Sequence, residues 1–370
     1  MKLNKVCHLS TVHAPKDTRI FSKECVTLHE AGYETHFVVA AQEDFIEKGV
    51  SVHALGRRNG SRLGRMTAGL LRLYREALNV DADLYHFHDP ELLLVGLLLK
   101  RKGKRVVYDV HEDVPRQILT KSYIAPIFRK GIAFLMEKLE HYAAKRFDGI
   151  VTATPFINKR FLALNANSVN VNNYPILNEL SLQRQRTSRK ASAVCFVGVM
   201  NEIRGIFQMI RAAELADVKL LLGGTFSNEG DRAKAVRLSG WSHVVDLGFL
   251  DRPQVAEVLD QSAAGFVVYH AAPNHIHAQP NKLFEYMSSG LPVIASHFPL
   301  WREIVEGNDC GICVDPLDPE AMAKAIWFFL DHPDEAARMG ENGRRAIEEK
   351  YNWRPEGDKL VALYERLLQE

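Results

Sequence analysis

With 370 residues the chain is long enough for two domains, each with its own core. Its 46% hydrophobic and 25% charged residues exclude a disordered or fibrous chain, and its longest apolar run, Leu92–Leu99, is too short to cross a bilayer. Residues 1–175 carry 26 Lys and Arg against 18 Asp and Glu, whereas the rest carry 21 against 27, so nucleic-acid binding along the whole length is not expected. Five scattered cysteines, an odd number, argue against a disulfide framework, and the lone Cys310-Gly-Ile-Cys313 reads as packing at a strand edge.

The opening MKLNKVCHLS reads as a first strand and not as a secretory leader, so a cytoplasmic protein is expected. The loop after it, STVHAPKDTRIFSKE (10–24), leads into a helix, and THFVVA reads as the next strand. RRNGSRLGRMTAGLLRLYR (57–75) sets Arg58, Arg62, Arg65 and Arg72 along one helical face and Leu63, Met66, Leu70 and Leu73 along another. FRKGIAFLMEK (128–138) again mixes cations with aromatics. Two readings of these faces stand: peripheral contact with an anionic membrane, and a solvated face over a core stripe.

DLYHFH, KRVVYDV and GIVTAT supply the remaining strands of the first half. In HFHDPELL (86–93), Asp89-Pro90 reads as a helix cap with a first-turn proline, and His86 and His88 as structural. VVYDVHEDVP (106–115) delivers Asp109, His111, Glu112 and Asp113 to the end of a strand. Alternation along the strand lets His111 share a face with Asp109 or Asp113 but not with the whole cluster, so a metal centre is not expected.

A polar, Arg-rich stretch, NNYPILNELSLQRQRTSRKAS (172–192), reads as a linker with a boundary near Thr187. Beyond it AVCFVG, VKLLLGG, HVVDLG, AGFVVY and LPVIAS again alternate with helical patterns. Alternation twice over implies an α/β fold of two Rossmann-like domains with parallel sheets, over residues 1–186 and 187–352, whose strand ends face one cleft. Asn352 reads as the cap of a last helix over 353–370, striped by Leu360, Leu363, Tyr364, Leu367 and Leu368.

Ligands of such sheets sit beyond the carboxyl ends of the strands, which singles out three stretches of the second half. FVGVMNEIRGI (196–206) runs from a strand through Gly198 to Arg204 at a helix start. Gly223-Gly224 and Gly248-Phe249-Leu250 each close a strand. In PNKLFEYMSSGLPVIAS (280–296), Pro280 suits a first helical turn, and the amides of Asn281, Lys282 and Leu283 make an anion site suited to a phosphate. Glu285, one turn further in, either accepts hydrogen bonds from ribose hydroxyls beside that phosphate or stabilises its own helix dipole.

This last run, with GFVVYH before it and WREIVEGNDCGICVDPLDPEAMAKAI after it, resembles the donor-site region of family 4 glycosyltransferases of the GT-B fold, and the likeness extends over nearly the whole chain. The resemblance implies that Glu285 is the second member of a Glu-x7-Glu motif and holds the ribose hydroxyls, while the amides before it hold the diphosphate. The first Glu, which contacts the donor sugar, is replaced by His277. Of the two phosphate-binding cations usual in the family, the Arg position is Val199 and the Lys position is Arg204. A nucleobase is placed near Phe249 and Leu250, and His111 takes the position of a histidine at the reaction centre. The Lys16-Asp17-Thr18-Arg19 segment resembles the branch that builds bacterial surface polysaccharides, where Arg19 meets an acceptor phosphate or is a surface charge.

The resemblance thus implies a retaining, metal-independent glycosyltransferase that uses no cofactor and moves a sugar from a UDP- or GDP-sugar to a glycan or lipid-linked acceptor. In this fold the C-terminal helix crosses back to the first domain. The two replaced motif positions leave two alternatives open: a non-catalytic nucleotide-sugar-binding member of a polysaccharide assembly complex, and a nucleotide-sugar epimerase.

Overall fold

The computed structural model describes residues 3–56, 62–119, 121, 124–177 and 192–369, with 62–68 described by their backbone alone. The expected boundary near Thr187, Arg58, and the side chains of Arg62, Leu63, Arg65 and Met66 lie outside the described residues. The chain divides into two compact units, Met1–Asn173 together with Trp353–Glu370, and Tyr174–Asn352. The C-terminal helix Trp353–Gln369 therefore belongs to the first unit.

The first unit is built on eight strands: β1 (Lys5–Leu9), β2 (Glu34–Val39), β3 (Phe45–Glu47), β4 (Val50–Ala54), β5 (Leu84–Phe87), β6 (Arg105–Val110), β7 (Gly149–Thr152) and β8 (Ser168–Asn170). Their order is β3-β4-β2-β1-β5-β6-β7-β8, parallel except for the β3–β4 pair. Chain order reverses direction between β1 and β5, the switch point beyond which ligands of such sheets bind. Strands covered on both faces read as apolar runs, and one face of this sheet does bury Cys7, Leu9, Tyr85, Phe87, Val106 and Tyr108 against Leu73, Leu99, Phe147 and Phe161.

The other face is polar at its centre, for a reason of register. His8 pairs with His86 across β1 and β5, and Phe87 pairs with Tyr108 across β5 and β6. With side chains alternating along each strand, His8, His86, His88, Asp109 and His111 all fall on one side. Over them lie Tyr364 of the C-terminal helix and the helix Thr18–Cys25. That helix is wound as a π-helix, and Asp17 caps it by accepting from the amides of Arg19 and Ile20.

The second unit holds β9 (Ala193–Val197), β10 (Lys219–Gly223), β11 (Val244–Gly248), β12 (Ser262–Val267), β13 (Val293–Ser296) and β14 (Gly311–Val314), all parallel in the order β11-β10-β9-β12-β13-β14. Its switch point lies between β9 and β12. Phe196, Leu220, Leu222 and Phe266 pack on one side with Met209, Ile210, Met322 and Ile326. Cys195, Leu221 and Val267 pack on the other with Leu283, Phe284, Met287 and Trp301. Local capping fixes the helix starts: Asp251 and Gln254 form a reciprocal capping box around Pro253, and Asp318 caps the helix that opens at Pro319.

Candidate active site

At the switch point of the first unit the polar groups form one connected chain. His111 Nε2 lies 2.8 Å from Asp109 Oδ2, and His88 Nδ1 lies 3.1 Å from the same oxygen. His88 Nε2 meets His8 Nδ1 at 2.9 Å, and the Tyr364 hydroxyl stands 3.3 Å from His8 Nε2 and 2.8 Å from His86 Nδ1. Burial holds the His8 and His86 imidazoles well below their ordinary pKa and brings His88 down to about 4, so all three are neutral near pH 7.

A neutral imidazole has one donor and one acceptor, which leaves a single consistent assignment. His86 Nδ1–H donates to Tyr364, Tyr364 O–H to His8 Nε2, His8 Nδ1–H to His88 Nε2, and His88 Nδ1–H to Asp109. Asp109 also accepts from His111 Nε2–H. Every proton in the chain points toward one carboxylate.

That carboxylate is kept ionised by Arg19. Burial alone would raise the Asp109 pKa, but the Arg19 guanidinium together with His111 and the His88 hydrogen bond outweighs it and holds the group well below the usual carboxylate range. Nε and Nη2 of Arg19 donate to the two Asp109 oxygens at 3.1 and 3.0 Å, and Nη1 donates to the Val171 carbonyl at 3.1 Å. Glu24 lies 3.0 Å from Arg19 Nε, and burial with the nearby Asp109 charge pushes its carboxyl well above the ordinary value. Neither expectation for Arg19 therefore holds. Its guanidinium is buried and engaged by Asp109, so it is neither a surface charge nor open to an acceptor phosphate. Lys16 remains at the surface, ion-paired with Glu47 at 2.6 Å.

Asp89 also differs from expectation. Its carboxylate does not cap the turn at Pro90 but accepts from the Ser10 hydroxyl and from the amides of Thr11 and Val12, holding the loop that leaves β1. His13 from that loop bonds Asp17 at 3.1 Å and sets its ring 5.1 Å from that of His111. One ligand atom each from His8, Glu24, His86 and His88, or from His88, Asp109 and His111, lie within 4.8 Å of one another, a spacing that could hold a metal ion. The Arg19 guanidinium already supplies positive charge to Asp109 and Glu24, which disfavours a second cation there.

In the second unit the expected donor residues gather beyond β9 and β12. Gly198 donates to the Gly223 carbonyl at 2.7 Å and Gly224 to the Gly248 carbonyl at 2.6 Å, so the ends of three strands are tied together. Gly224 sits at φ +130, and a Cβ there would fall 2.1 Å from the Gly198 oxygen. Arg204 ends a turn capped by Asn201, donates to the Val199 carbonyl at 3.2 Å, and lies over the Tyr269 ring. The Val199 side chain is 41% exposed. Phe249 is 82% exposed, and Leu250 packs beside Gly223.

The helix Asn281–Ser288 begins after Pro280, as expected. One of its three assigned amides is not open: Leu283 N–H donates to the Pro280 carbonyl at 3.0 Å, because the first turn closes on itself, and its side chain is in the core. Asn281 is exposed, and His277 is half-buried in the loop before it. Glu285 Oε1 accepts from Arg252 Nη1 at 2.8 Å, which fixes the carboxylate at the start of the helix. Sequence reasoning missed His8, His13, Glu24, Tyr364 and Arg252. The H-x-H and D-x-H alternation of β5 and β6 was the available signal for the histidine cluster.

Residues 24–171 match the family described as Glycosyltransferase Family 4, and residues 179–346 match Glycosyl transferases group 1. The MMP alpha-(1->4)-mannosyltransferase of Mycolicibacterium hassiacum is 23% identical over 314 residues, 80% of this chain and 74% of that protein. The O-antigen chain mannosyltransferase C of Escherichia coli is 22% identical, over 78% of this chain and 76% of its own. Among solved structures, Anabaena Alr3699/HepE in complex with UDP-glucose superposes with a TM-score of 0.72 at 15% identity, covering 98% of this chain and 99% of that one.

Proposed function

The chain belongs to the family 4 glycosyltransferases of the GT-B fold, and from that premise we propose that it moves a sugar, with retention, from a UDP- or GDP-sugar to a glycan or lipid-linked acceptor in polysaccharide synthesis. The observation that carries this reading is the placement of Glu285, Arg204 and Gly198 around the switch point of the second sheet, where a nucleoside diphosphate would put its ribose and phosphates. The named activities of the mannosyltransferase relatives support sugar transfer, and the UDP-glucose complex of the Anabaena protein supports a nucleotide-sugar donor.

In this reading Glu285 accepts from the ribose diol, with Arg252 holding its carboxylate. Arg204 and the amides of Asn281 and Lys282 stabilise the departing diphosphate, and cations of the protein fill the part that a metal would otherwise play. His111, its Nε2–H tied to Asp109, contacts the reacting sugar through a ring that cannot turn. The acceptor hydroxyl gives its proton to the leaving phosphate as the front-face bond forms. No helix among the described residues is long and apolar enough to cross a membrane. The helix Pro126–Ala144 exposes Ile127, Phe128, Phe134 and Leu135 beside Lys130 and Lys138, which supports contact with an anionic membrane surface carrying the acceptor.

Val199 and His277, which stand where the family has Arg and Glu, favour a second reading as a nucleotide-sugar-binding partner in an assembly complex. Mass spectrometry for transfer, NMR for sugar configuration and calorimetry for donor binding, with UDP- and GDP-sugars and a bacterial glycolipid extract, separate the readings. Extended acceptor and free nucleoside diphosphate are expected from the transferase. Donor binding without turnover indicates the assembly partner, and epimerised donor in the absence of acceptor indicates an epimerase. Glu285→Ala is expected to weaken nucleoside diphosphate binding about 10- to 100-fold by calorimetry, the loss of a hydrogen-bonded charge; an unchanged affinity would remove the ribose assignment.

A further inference from the structure

Lys282 was expected to contribute only its backbone amide, yet its side chain is the more unusual feature. A lysine is rarely buried without an acidic partner. Lys282 is 8% exposed, and its Nζ has no hydrogen-bond partner. What surrounds that nitrogen is aromatic: the Phe196 ring centre at 3.4 Å and the Tyr269 ring centre at 5.7 Å. The nearby acid, Glu285, has its carboxylate on Arg252.

The position of the amine is also specific. From the second residue of the helix Asn281–Ser288 it reaches toward the end of β9, where a Cβ on Gly198 would come within 3.0 Å of Nζ. Gly198, at φ +131, keeps that space open. Arg204 lies over the same Tyr269 ring, at 5.5 Å. The Lys282 amine and the Arg204 guanidinium thus both lie against the Tyr269 ring, near a helix N-terminus, and neither makes an ion pair among the described residues. Val199, one residue on from Gly198, is the place where a cation is lacking.

We propose that the Lys282 side chain is the second cation of the donor diphosphate site, acting with Arg204 in place of the charge that Val199 does not supply. This rests on the nucleotide-sugar reading of the second unit. The diphosphate would then be met by two side-chain cations as well as by the helix N-terminus, and negative charge building on it during bond breakage would fall between them. Burial, reinforced by Arg204 and opposed by Glu285 and Cys195, lowers the Lys282 pKa well below that of an ordinary lysine. Tyr269, whose ring lies beside the amine, and Tyr286, one turn further along the same helix, are pushed up and stay neutral. An arriving dianion restores the ammonium, so the protein takes up a proton as the diphosphate binds.

The test is calorimetry of UDP and GDP on the full chain at pH 8, in buffers of different ionisation enthalpy, with wild type and Lys282→Met. Wild type is expected to take up a substantial fraction of one proton with whichever diphosphate binds. Lys282→Met is expected to bind it about 10- to 100-fold more weakly, to lose the proton uptake, to keep its affinity for the bare nucleoside, and to melt no lower than wild type when unliganded. Wild-type binding without proton uptake, or unchanged diphosphate affinity in Lys282→Met, overturns the inference and leaves the nucleotide-sugar reading standing. Should Lys282→Met fail to fold, the wild-type proton count decides alone. Binding of neither diphosphate by wild type overturns that reading and the inference together.

Discussion

Replacing Arg19 with methionine is expected to destabilise the first unit by roughly 3–5 kcal/mol, the usual consequence of removing one partner of a buried ion pair. Asp109 would be left ionised and fully buried, with the donors of His88 and His111 but no cation. Asp109 has its folded pKa depressed, so in wild type its contribution is present above the ordinary carboxylate value of about 4 and is lost as pH falls through the lower folded value. Without Arg19 the folded value rises, and the acid-side loss of stability moves to higher pH. Glu24 opposes this, since its pKa is raised by burial and the nearby Asp109, so its contribution fades as pH rises. Hydrogen exchange at the amides of β1, β5 and β6 reads the effect locally, and Arg19→Met with Asp109→Leu should recover part of it. A loss below about 1 kcal/mol would mean that the pair does not hold the polar layer together.

His111→Ala is expected to lower the rate of sugar transfer by roughly 10²- to 10³-fold while leaving UDP or GDP affinity unchanged. The reason lies in where the groups are. Every residue assigned to the diphosphate and ribose belongs to the second unit, whereas His111 belongs to the first, where it bonds Asp109 and lies beside His88 and His13. Asp109→Asn should follow it in kcat, because an amide disturbs the donor order that fixes the His111 ring. Steady-state kinetics with parallel calorimetry checks this. Equal loss of diphosphate affinity and rate would show that His111 acts through folding or nucleotide binding and not at the sugar.

The double α/β architecture was legible because parallel strands buried on both faces are long apolar runs, as in KRVVYDV and VKLLLGG. Phe45–Glu47, Val50–Ala54 and Ser168–Asn170 were not read as strands, being short segments at or near the sheet edges. Alternation left His111 to share a face with Asp109 or Asp113, and the structure pairs it with Asp109. The roles of His86 and His88 did not follow from alternation, since their meaning depends on the register that sets His86 beside His8, and register is a long-range property.

Arg19 shows the same limit from the other side. A charged residue in a polar loop reads as exposed, and only the π-helical turn that aims it at Asp109 makes it a buried residue. In the second unit the assignments of Glu285 and Arg204 rest on motifs whose backbone geometry is local. The burial of Lys282 does not, because it comes from Phe196 and Tyr269, which lie far from it in sequence.

The central claim is that the second unit holds a nucleoside diphosphate through Glu285 and the cations before it. A thermal-shift panel of UDP, GDP, ADP and CMP on wild type and Glu285→Ala tests it most directly. Binding to the folded state alone stabilises by about 2.7 kcal/mol at a hundredfold excess over Kd, a readable shift. The account predicts a shift with UDP or GDP, little with CMP, and a clear reduction in Glu285→Ala. No shift with any nucleotide, or an equal shift in the variant, would contradict it.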